Sequence, residues 1–147
     1  MPQFARPDAD TTLGNYTDQG GGTTNIFQTI DEVSPSDADF IRTPTSPVNE
    51  VYVCRLSDVT DPVSSTGHTM RMRTSTDQDA QEVLSFIQQL RQGYVNEGSP
   101  GTLIASQTRS AISSTTWTTS SYTLSGAEAD AITDYTALFF RFDIDVD

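Results

Sequence analysis

Histidine and cysteine are the side chains that most readily supply a base or a nucleophile near neutral pH, and this 147-residue chain holds one of each, His68 and Cys54. A nucleophile–base–acid triad needs the histidine beside a serine or cysteine. No spacing rule links His68 to Cys54, and His68 follows Thr66-Gly67 at the head of an alternating run, where a strand-end or loop histidine is expected. Cys54 closes the apolar run Val51-Tyr52-Val53, which suits a small buried hydrophobe. Arg55 adjoins it, but a reactive thiol also needs a partner histidine. One cysteine cannot form an internal disulfide, and one histidine with one cysteine cannot build a structural zinc site.

Calcium takes oxygen ligands, and two sets of acids come into question: Asp8, Asp10 and Asp18 near the start, and the alternating Asp143, Asp145 and Asp147 at the end. Neither set matches an EF-hand loop, and a solvated face is the expected reading. Glycoside hydrolysis needs two carboxylates held across a cleft; with 20 acids in the chain, accidental pairs are inevitable. Gly20-Gly21-Gly22 lacks the following lysine and the strand-to-helix setting of a phosphate loop. Trp117, Tyr122 and Tyr135 can stack on a sugar, although aromatic side chains of a small β domain belong more often to its core. No catalytic, cofactor-binding or metal-ligating residue is therefore expected, and no cofactor. The expectation is a protein that binds rather than an enzyme.

The elements that must carry these residues are short strands. Glu50–Ser57 is rich in β-branched and aromatic types. His68–Thr74 alternates, with Met70 and Met72 on one face and Arg71 and Arg73 on the other. Thr102–Ile112, Trp117–Leu124 and Leu138–Ile144 complete the longer strands, and Phe40–Arg42 is a short one. Ser34–Asp37, Asp58–Gly67 and Tyr94–Gly101 carry turn residues. Ser125-Gly-Ala-Glu128 has the spacing of a capping box and predicts one short helix near 126–132. Residues 79–93 are ambiguous: Val83, Phe86, Ile87 and Leu90 fall at helical spacing before Gly93, yet the same residues alternate as a strand. The length is that of one domain, spanning 1–147, with residues 1–12 a candidate extended arm. The expected fold is an all-β antiparallel sandwich, jelly-roll-like.

The charge narrows the partners. Twenty acids oppose eight basic residues, all arginine, for a net charge of −12. Such a chain is repelled by nucleic-acid phosphates and by anionic membrane surfaces, so neither is expected as a partner. No stretch reaches the ~18 apolar residues of a membrane span, and Met1–Pro7 lacks a signal-peptide pattern, so synthesis in a cytoplasm is expected. Serine and threonine make up 38 of the 147 residues, and threonine fits an exposed pleated surface.

Three stretches together resemble a known group. They are Asp61-Pro62 through Thr66-Gly67-His68 to Arg71 and Arg73; Trp117 through Tyr122, Leu124, Ala127–Ile132, Asp134 and Tyr135 to Phe142; and Arg6–Asp10 through Gly20–Gly22 and Ile26 to Ile30–Glu32. They resemble small β-sandwich structural proteins of tailed bacteriophages: capsid decoration (cement), head-fibre and minor tail proteins. The resemblance covers most of residues 4–142. It implies a virion location on the capsid surface, the major capsid protein as partner, and self-association on the particle. The function it implies first is decoration that stabilises the shell; receptor or glycan binding from a head or tail fibre is the alternative. It also implies that residues 82–92 are a strand, against local propensity, leading to a hairpin at Gln92-Gly93 and a returning strand from Leu103.

Overall fold

The computed structural model describes residues 3–76, 84–112 and 115–146, the last two as backbone alone. The chain is all-β and sandwich-like, and the described residues form nine strands: β1 (Pro7–Thr12), β2 (Thr17–Asp18), β3 (Ile41–Arg42), β4 (Glu50–Leu56), β5 (Thr69–Thr74), β6 (Leu84–Gln92), β7 (Thr102–Ile112), β8 (Thr118–Thr123) and β9 (Leu138–Val146). A 3-10 turn at Ile26–Thr29 and one short helix, α1 (Gly126–Asp130), complete it. No described helix is long and apolar enough to cross a membrane.

The layers are unequal. One is a five-stranded sheet in the order β1-β4-β9-β6-β7, and every pairing in it is antiparallel. Two strand pairs, β2–β3 and β5–β8, make separate small sheets. Alternation along β9 decides which face is covered. Leu138, Phe140, Phe142 and Ile144 point one way into apolar clusters, whereas Arg141 and Asp143 point the other way into an ion pair. Leu138 packs with Met70, Leu90, Ile104, Leu124 and Ile132 beneath β5, β8 and α1. Phe142 and Ile144 pack with Tyr16, Ile26, Tyr52 and Cys54 beneath β2, β3 and the 3-10 turn. Phe140 touches both clusters and joins them into one core.

Residues 84–92 form a strand, and the sheet explains why the helical spacing does not win. β6 is flanked on both sides: Leu84–Gln92 pairs with Val146–Leu138, and most of the same residues pair with Ile112–Thr102. Two ladders at once, with Phe86 against Phe142 and Leu90 in the core, outweigh a helix-propensity difference of a few tenths of a kcal/mol per residue. Residues 82 and 83 lie outside the described residues.

The hairpin from β6 to β7 turns through Gly93 and closes on Gly101. Gly101 has φ +67, and a Cβ there would sit 2.3 Å from the carbonyl oxygen of Gln92. Gly101→Ala is expected to lower stability by about 2 kcal/mol, since backbone must move as well as adopt a left-handed conformation. Chemical denaturation checks it; a change under 0.5 kcal/mol would show that the turn yields.

The N-terminal segment is extended, but it is docked. From Pro7 onward it is the edge strand β1, paired with β4. Ahead of it, Gln3 and Thr60 exchange two hydrogen bonds, and Arg6 and Ser57 exchange two more. The candidate arm over 1–12 is thus, from Gln3 on, fastened to its own fold, because the backbone of β4 offers it a ladder. The capping box at Ser125 forms as its spacing predicts: Ser125 Oγ accepts from Glu128 N, and the Glu128 carboxylate accepts from Ser125 N.

Candidate functional site

Two loops and α1 meet at one end of the sandwich. The loop between β4 and β5 (57–68) lies against the turn after α1 (131–137). His68 Nε2 and the Tyr135 hydroxyl are hydrogen-bonded at 2.8 Å, the two rings lie 5.9 Å apart, and Val59 N donates to Tyr135 O. Leu124 N donates to His68 O, so β8 ends on the same histidine. Gln92, the last residue of β6, holds the turn from below: its Oε1 accepts from the amides of Thr133 and Asp134, and its Nε2 donates to Thr133 Oγ1. These bonds bring together segments some 70 residues apart in sequence.

The surface they shape holds two shallow clefts that share Asp61 and Tyr135. The larger, about 510 Å³, is lined by Gln3, Asp58, Thr60, Asp134 and Thr136 among others. The smaller, about 330 Å³, is lined by Val63, Ser65, Asp130 and Ile132. Each carboxylate in the larger cleft is already engaged through one oxygen. Asp58 accepts from Arg55, Asp61 from the Val63 amide, and Asp134 from the amide and hydroxyl of Thr136. The Thr136 hydrogen bonds hold the Asp134 carboxyl below the usual carboxylate range. Burial, followed by the nearby charges of Asp61 and Asp130, pushes the Tyr135 hydroxyl up. This end is therefore polar and anionic, and suits basic side chains or hydroxyl-rich ligands.

The candidate chemistry disperses. Among the described residues His68 hydrogen-bonds Tyr135, through the ring nitrogen that a triad would need for its nucleophile. Cys54 is fully buried in the core, where burial above all raises its thiol, while Arg55 turns to the opposite face of β4 and bridges Asp8 and Asp58. The N-terminal aspartates serve three separate purposes. Asp8 pairs with Arg55. Asp10 accepts from Ile26 N, Phe27 N and the Tyr52 hydroxyl at 2.7–2.9 Å. Asp18 Oδ1 accepts from Gly20 N and Gly22 N, so the glycine turn presents its amides to the chain's own carboxylate. Asp143 pairs with Arg141; the side chain of Asp145 and all of Asp147 lie outside the described residues.

The three aromatic residues do not share one platform. Tyr122 donates to Glu128 and packs on the core with Tyr135, whereas Trp117, half-buried, leans on Phe40. Trp117 and Tyr122 are five residues apart along one extended segment, roughly 16 Å.

The arginine network is the feature that sequence spacing does not reveal. Seven of the eight arginines donate hydrogen bonds among the described residues. Arg141 bridges Glu97 and Asp143, Arg73 grips Asp37 with two nitrogens, and Arg109 spans Thr74 and Thr118. Arg55, Arg91, Arg6 and Arg42 reach further acceptors. A planar fork with five donors grips a carboxylate bidentately, which a lysine ammonium matches poorly. The partners of Arg141, Arg73 and Arg55 include groups 36 to 47 residues away, so no local motif announces them.

The fold and this site define an all-β, sandwich-like domain. Comparison with protein-family models, with curated proteins and with solved structures finds no match for the chain.

Proposed function

We propose that the chain is a structural protein of a tailed-phage virion: a decoration protein that binds the outer surface of the major capsid shell and stabilises it. The observation that carries this reading is the convergence of the stretches that bear the resemblance. The Asp61–Arg73 stretch meets the Trp117–Phe142 stretch through His68 and Tyr135, and Ile26 of the N-terminal stretch shares a core cluster with Phe142. The shared pattern thus serves one structural unit. A sheet with a continuous core, cross-linked by multidentate arginines, also suits a part that must stay rigid under load. The acidic surface favours a basic face on the shell as its complement.

A second reading, receptor or glycan binding from a fibre, is favoured by the cleft itself, where Tyr135 stands beside Asp61 and Asp134. Mixing the purified protein with expanded, undecorated capsids separates the two. Stoichiometric saturation and a higher shell-disruption temperature are expected; no binding to the shell, with glycan binding lost in Tyr135→Ala, would replace decoration by the second reading.

A further inference from the structure

Charge is distributed unevenly along this chain. Residues 98–127 contain one arginine and no acid, while all 20 acids lie elsewhere. Those thirty residues supply β7 and β8. β7 is the outermost strand of the five-stranded sheet, and Arg109 on it reaches across to the Thr118 carbonyl of β8. β7 and β8 themselves therefore contribute serine, threonine and apolar side chains and no carboxylate, although Glu128 and, through Arg73, Asp37 approach β8 from other segments. Thr102, Leu103, Ser106 and Thr108 of β7 and Thr119, Ser121 and Thr123 of β8 are exposed.

The two edges of the large sheet differ in composition. β1 starts at Pro7, which has no amide hydrogen to offer, and carries Asp8 and Asp10. Proline and charge are usual defences of an edge strand. Register shifts interrupt both edges, two between β1 and β4 and two between β6 and β7. β7 runs for 11 residues, the longest of the described strands, with no proline and no acid. Among the described residues its outer side pairs with no other strand. Leu103, 48% exposed, lies on it.

We infer that β7 is a self-association edge: a second copy of this chain pairs with it, β7 to β7 antiparallel about a two-fold axis, and continues the sheet across both molecules. Charge selects this occupant. Two copies carrying −12 each repel over most of their surfaces. The β7 flank is where they can approach with no carboxylate of either strand facing the other, whatever the register. A basic partner would instead be drawn to the acidic faces. A two-fold is the commonest symmetry for such an isologous contact, and strand addition supplies hydrogen bonds to an edge that pairs with no other strand among the described residues. The inference does not rest on the virion reading, since it follows from the edge and the charge alone.

Sedimentation equilibrium of the full chain in 1 M NaCl, over a hundredfold range of concentration, tests it together with hydrogen exchange. A reversible dimer is expected, with amides of 102–112 gaining protection as concentration rises. Ser106→Glu with Thr108→Glu places two acids on each edge and should weaken the dimer at least tenfold, with circular dichroism unchanged. Ser106→Gln with Thr108→Gln should dimerise as the parent does. A parent that stays monomeric, a dimer indifferent to the glutamates, or protection gained at β1 in place of β7 would each overturn the inference. Should the glutamate variant not fold, the exchange pattern of the parent decides alone.

Discussion

Replacing Asp10 with alanine is expected to cost about 3 kcal/mol of stability and to lower the melting temperature by roughly 10 °C. Asp10 sits on edge strand β1 but works beneath it. Its Oδ2 accepts from the Ile26 amide at 2.8 Å, and its Oδ1 accepts from the Phe27 amide at 2.9 Å and the Tyr52 hydroxyl at 2.7 Å. The turn at Ile26–Thr29 has no side-chain cap of its own, because Asn25 sits at its N-cap with φ 53 and makes no such bond. A carboxylate 16 residues away supplies what the cap does not. Hydrogen bonds to a charged acceptor contribute about 1.5–3 kcal/mol each, and orphaned buried donors cost a similar amount. Water can reach part of this half-buried group, so the sum stays below three full bonds. Tyr52 is fully buried, stacked on Phe142 and tilted against Tyr16. Tyr52→Phe keeps those contacts and removes one donor, so about 1 kcal/mol is expected. Urea denaturation of both variants checks the order; an Asp10→Ala change under 0.5 kcal/mol would show that the turn holds without its cap.

Salt is expected to act in the opposite direction from its effect on most ion-paired proteins. Raising NaCl from about 0.05 M to about 1 M should stabilise the fold by about 3 kcal/mol, on the order of 10 °C. The net charge of −12 leaves a dozen acids without a cationic counterpart. Like charges on a compact surface cost a few tenths of a kcal/mol each, and screening shortens from roughly 14 Å to 3 Å over that range. The same salt weakens the ion pairs Arg55–Asp8, Arg73–Asp37 and Arg141–Glu97, whose partners are partly exposed. Exposed pairs contribute only about 0–1 kcal/mol apiece, and the arginine forks keep their hydrogen bonds when screened, so repulsion decides the sign. Scanning calorimetry across the salt series measures it; a melting temperature that falls with NaCl would mean that the pairs dominate.

Much of the fold was legible because it is written locally. Alternation places Met70 and Met72 inward on β5, and both are buried. β-branched and aromatic runs mark β4 and β9, and the Ser125–Glu128 spacing marks the start of α1, which ends at Asp130, two residues short of the expected 132. β6 was legible only through the resemblance, since Phe86, Ile87 and Leu90 fall equally well on one helical stripe. What makes it a strand is the pair of neighbours β7 and β9, and neither adjoins it as a local pattern does. The docking of residues 3–12, the separation of Trp117 from the tyrosines, and the bridges made by Arg55, Arg73 and Arg141 have the same origin. Each depends on contacts across dozens of residues, where side-chain type alone names no partner. Asp10, Asp18, His68 and Gln92 all hold loops and turns in place.

We propose that this sandwich sits on the outside of a capsid shell. Electron microscopy of shells incubated with the protein, compared with the same shells alone, tests it most directly. Added density is expected at regular positions on the outer surface, into which the five-stranded sheet and its two covering strand pairs fit. Unchanged shells, or density confined to tail or fibre, would contradict it.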